Sequence, residues 1–110
     1  MDETRQKLQQ LFEEHYRSCG WKPIVEQDGT VRASGVGGVT WIGLPIIGDD
    51  LVDPDFEARL LRLSGERMPR GELCPLELLP DEPSAPALRS LVERLRLRDR
   101  GNVEIYSLAA

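Results

Sequence analysis

Cysteine, histidine, lysine and aromatic residues are all scarce in this 110-residue chain, and no apolar stretch reaches the ~18 residues that crossing a membrane requires. Each shortage removes a class of function. The two cysteines, Cys19 and Cys74, lie far apart, so the disulfide framework typical of small secreted domains is missing. Both are expected to be reduced thiols in a cytoplasmic protein. The opening Met1-Asp2-Glu3-Thr4 is acidic and polar, the reverse of a secretory signal. No second cysteine stands within three residues of Cys74, so thioredoxin-like exchange lacks its resolving thiol.

Basic charge is also short. The net charge is −5, and it resides in residues 1–55, where ten acids face five bases. Residues 56–110 carry nine of each. A nucleic-acid binder shows the opposite balance, because its basic excess displaces counterions from phosphates. DNA and RNA are therefore not expected as partners, and an acidic surface suits a partner with a basic one. Arginine outnumbers lysine twelve to two, a usage that points to a GC-rich bacterial genome.

What remains is the pattern of a small α+β protein, a single domain over residues 1–110. Leu8, Leu11, Phe12, Tyr16 and Cys19 recur at helical spacing and Gly20 follows as a stop, which predicts a first helix over 3–19. Asp28-Gly29 between Ile24–Gln27 and Thr30–Ala33 has the signature of a type I′ hairpin. Gly35, Gly37 and Gly38 then open a corner into Val39–Ile46. This near-continuous apolar run reads as a strand covered on both faces, or on one face plus a subunit contact. Asp53 as N-cap and Pro54 at the first helical position predict a second helix through Phe56, Leu60 and Leu63. Leu73–Leu79, interrupted by Pro75, reads as an edge strand, a bulged strand or two short pieces. Leu88, Leu91, Val92 and Leu95 mark a third helix, and Val103–Leu108 alternates as a final strand. The order is α-β-β-β-α-β-α-β, a mixed sheet with helices packed on it.

Candidate chemistry fails on spacing. Gly35-Val36-Gly37-Gly38 leads into a strand, whereas a phosphate loop opens a helix and carries Lys-Ser or Lys-Thr. Asp49, Asp50, Asp53 and Asp55 could gather a hard cation. Counted as a calcium loop from Asp49, however, they put Pro54 where Gly is needed and Leu60 where Glu is needed. His15 and Cys19 share a helix face. A Cys–His nucleophile also needs a third group, an oxyanion hole and a cleft, which a surface helix does not supply. Arg94, Arg96, Arg98 and Arg100 are spaced by two, ~200° apart on a helix, so they scatter around it. No catalytic residue, metal ligand or cofactor is expected.

The aromatics carry the remaining hint, since Trp and Tyr are enriched at interface hot spots. The interface reading assigns Trp21, Trp41, Ile42, Leu44 and Ile46 to a docking face. The chain is accordingly expected to be a non-catalytic protein–protein interaction module, a homodimer or an adaptor, with the edge near Leu73–Leu79 open to a partner strand. The alternative is a small-ligand or metal-responsive domain that uses the Gly35–Gly38 corner and the Asp49–Asp55 acidic loop. In small size, acidity and element order the chain resembles bacterial secretion chaperones and toxin-immunity proteins. That likeness, which no motif carries, implies a protein partner.

Overall fold

Five strands form one sheet in their sequence order: β1 (Lys22–Val25), β2 (Val31–Ser34), β3 (Thr40–Ile46), β4 (Leu76–Pro80) and β5 (Val103–Ile105). The structure is a computed structural model that describes residues 3–106. β1, β2 and β3 run antiparallel, whereas β3–β4 and β4–β5 are parallel. Helices α1 (Glu3–Ser18), α3 (Phe56–Ser64) and α4 (Ala85–Arg94) stand where expected, and a one-turn α2 (Gly48–Leu51) is added after β3. The α+β class and the mixed sheet are thus observed. Residues 107 and 108 of the expected last strand lie outside the described residues.

The pleat sorts the apolar residues onto two faces. Ile42, Leu44, Ile46, Leu76 and Leu78 meet Phe56, Leu60 and Leu63 of α3 and Leu88 and Val92 of α4. Two crossovers of one hand, stepping the same way across the sheet, put both helices on that face. Val31, Ala33, Ile47 and Leu79 face the other way, under Leu8, Phe12 and Tyr16 of α1. Gly43 makes this second contact possible. A Cβ there would stand 2.7 Å from Phe12 Cδ1, so only glycine lets the ring lie on β3.

Three expectations change, and the place of Pro45, which a strand holds only at its end or with that side free, is decided. β4 is a central strand, buried at every position between β3 and β5, because Pro75 falls just before it. The edge expected at Leu73–Leu79 is therefore closed, and the sheet's edges are β1 and β5. Pro45 sits inside β3 without harm. Ile42 N–H donates to Pro75 O on the β4 side, so by alternation position 45 faces the β2 side, beyond the last pair Val31–Gly43. The first hairpin is not a two-residue type I′ turn. Glu26 N–H donates to Thr30 O and Gly29 N–H to Glu26 O, and only Gly29 takes positive φ, giving a three-residue loop. Finally, α3 starts at Phe56, because Asp53 Oδ1 accepts from Asp55 N–H at 2.9 Å and holds an Asx turn in place of the expected cap.

Candidate functional site

Helix cover on the α1 side stops partway across the sheet. α1 packs on β1, β2 and β3, and the register carries the same face onward through the row Val31, Gly43, Glu77 and Glu104. Glu77 thus comes to lie in a central strand, 3% exposed, pointing away from the larger core. Tyr16 Oη donates to its Oε1 at 2.5 Å from α1, and Tyr106 Oη donates to its Oε2 at 2.5 Å from beyond β5. Among the described residues no ion pair reaches Glu77 or Glu104.

Local backbone chemistry places the surrounding rings. α1 ends in a Schellman motif: Gly20, at φ 85°, donates to Arg17 O, and Trp21 N–H reaches back to Tyr16 O at 3.0 Å. The apolar contact that accompanies this motif is Trp21 on Tyr16, with ring centroids 5.9 Å apart. Trp21 then stacks on Trp41 of β3 at 4.8 Å, across the strand-to-loop corner at Gly35. Phe12, Tyr16, Trp21 and Trp41 form one aromatic row that ends at a cavity of about 390 Å³. Trp41, Pro75, Glu77, Asn102, Glu104 and Tyr106 are among its walls. Two wall residues hold buried polar atoms without partners, Trp41 Nε1 and Asn102 Oδ1. The Asn102 amide nitrogen is fully used, donating to Ser64 O and Cys74 O at 2.9 Å each.

Burial, and next the Glu77 carboxylate, push the Tyr16 phenol far above its ordinary value, and the same two causes raise Tyr106. The folded chain therefore keeps the Tyr16 proton above about pH 10, where the unfolded chain loses it. Stability is full below pH 10 and is expected to fall above it by about 1.4 kcal/mol per pH unit for Tyr16. Urea melts between pH 8 and 11 check this. Tyr16→Phe should flatten that slope, and a wild-type midpoint constant over the range would contradict the cluster.

Of the residues read from sequence as an interface, Trp21 and Trp41 are half-buried, and Trp41 lines this cavity. Ile42, Leu44 and Ile46 are not surface at all. Each is 0% exposed under α3 and α4, because the apolar run is covered by the chain's own helices on both faces. The surplus that argued for a subunit contact is thereby taken up internally. The Gly35–Gly38 corner and the Asp49–Asp55 loop lie at opposite ends of β3, seven residues or roughly 23 Å apart, so one site cannot combine them. Within the loop, Asp50 is held by two Arg5 hydrogen bonds at 3.0 and 3.1 Å and by Ile47 N–H at 2.9 Å. Among the described residues no three His, Cys, Asp or Glu side chains are placed to hold a metal. His15 and Cys19 are both exposed on or just past α1.

A larger cavity of about 520 Å³ lies between the α2–α3 loop and α4. Of its charged groups, Glu57 and Arg94 satisfy each other at 2.8 Å, and Asp53 Oδ1 accepts from Asp55 N–H at 2.9 Å. Glu77, Tyr16 and Tyr106 escaped the sequence reading as a site. The available signal was Glu77 itself, a lone acid between Leu76 and Leu78 in an otherwise apolar strand. Compared with known protein families, curated proteins and solved structures, the chain matches none.

Proposed function

We propose that this chain is a non-catalytic protein-binding module that docks a partner with a basic surface. The docking face is the β4–β5 half of the α1 side. The observation that carries this reading is the Glu77–Glu104 pair at the margin of the α1 cover: two carboxylates that no ion pair reaches among the described residues, beside the cavity walled by Trp41 and Tyr106. Half-exposed aromatics around an open cavity are the anchors that interfaces use. Net charge −5 steers basic partners toward the chain and phosphate backbones away from it. Both thiols are free, which suits a reducing cytoplasm, and no helix among the described residues is long and apolar enough to cross a membrane.

Site-specific photo-crosslinking in the native host tests the docking face. A benzophenone side chain at position 106 should give a discrete adduct that the same group at exposed position 52 does not. Equal adducts from both positions, or none from 106, would contradict it. An adduct at twice 12.4 kDa would assign the face to a second copy instead of a basic partner.

A further inference from the structure

We infer that the cavity over Glu77 receives the guanidinium of a partner's arginine side chain. This deepens the docking face proposed above and rests on it. Glu77 is 3% exposed, yet its two hydrogen-bond partners are neutral phenols. A buried carboxylate is costly unless paired with a cation, and among the described residues no ion pair reaches Glu77. Arg32 binds Glu26 and Glu66, Arg59 binds Asp28 and Thr30, and Arg94 binds Glu57. Among the described residues no Lys, Arg or His lines the cavity.

The receptor chemistry matches one cation better than others. A carboxyl group has two oxygens with about four lone-pair sites, and the two phenols occupy one on each oxygen of Glu77. Two acceptor positions remain for a planar fork of N–H donors, and Glu104, adjacent in register, adds a second carboxylate at the exposed side. Trp41 and Tyr106 supply aromatic walls, on which guanidinium stacks better than ammonium. A volume of about 390 Å³ admits one long side chain. The cavity therefore reads a single basic residue projecting from the partner's surface.

Calorimetric titration of the full chain with N-acetyl-arginine methylamide, its lysine analogue and its citrulline analogue tests this. Citrulline keeps the shape and removes the charge. Arginine should bind saturably, lysine about tenfold more weakly, and citrulline not at all over the same range. Glu104→Gln, an exposed substitution that leaves the core intact, should weaken arginine binding about tenfold, and Glu77→Gln about tenfold or more. Equal binding of arginine and citrulline, or a Glu104→Gln variant that binds like wild type, would overturn the inference. A failed titration alongside a position-106 crosslink would overturn this inference alone, and loss of the crosslink would overturn the docking face as well.

Discussion

Leu44→Ala is expected to lower the unfolding free energy by about 2–5 kcal/mol, the range for truncating a fully buried leucine. Leu44 is 0% exposed at the middle of β3, packed within the cluster that α3 and α4 close over the sheet. A domain with a total stability of about 5–15 kcal/mol would lose a large share of it. The urea midpoint should drop sharply with an unchanged slope, and the association state should not respond. A midpoint within error of wild type would mean that the strand is not sealed as described. The same variant separates core from interface, because an interface leucine would alter self-association more than stability.

The second large effect concerns Glu77. Tyr16→Phe alone removes a charge-assisted hydrogen bond from a buried carboxylate and should cost about 1.5–3 kcal/mol. Glu77→Met alone strands the Tyr16 hydroxyl in a site with no exposure, at about 1–3 kcal/mol. Tyr16→Phe, Glu77→Met and Tyr106→Phe together remove every polar group of the cluster at similar volume. That triple variant should return to within about 1 kcal/mol of wild type, or exceed it, as apolar replacement of buried polar sets does elsewhere. Urea unfolding of the singles and the triple measures the coupling. A triple variant as unstable as the sum of its parts would make Glu77 a structural residue and remove the energetic argument for a ligand.

The sequence and the structure agree where local chemistry decides, and part where tertiary position decides. The α1 periodicity, Gly20 as stop and the apolar Val39–Ile46 run follow from side-chain spacing and backbone freedom, so they read directly. The type I′ turn failed at Asp28, which keeps negative φ while Gly29 alone turns the chain. Pro75 suggested an edge because a proline cannot donate to a ladder, and here it only accepts, its carbonyl taking the Ile42 N–H just before β4 begins at Leu76. Trp41 was legible as an interface candidate because an indole is conspicuous in any strand. Its companions Ile42, Leu44 and Ile46 were not assignable, because an apolar strand looks the same whether helices or a subunit cover it. Glu77 was missed for a related reason. Tyr16 stands 61 residues away and Tyr106 stands 29 away, and only the parallel register of β3, β4 and β5 brings all three together.

The most direct test of the account is a side-chain NMR map of the chain titrated with N-acetyl-arginine methylamide. The account predicts that the carboxyl signals of Glu77 and Glu104 and the ring signals of Trp41 and Tyr106 shift together and saturate at one concentration. Shifts confined to the acids at Asp49–Asp55, with those four residues unmoved, would contradict it.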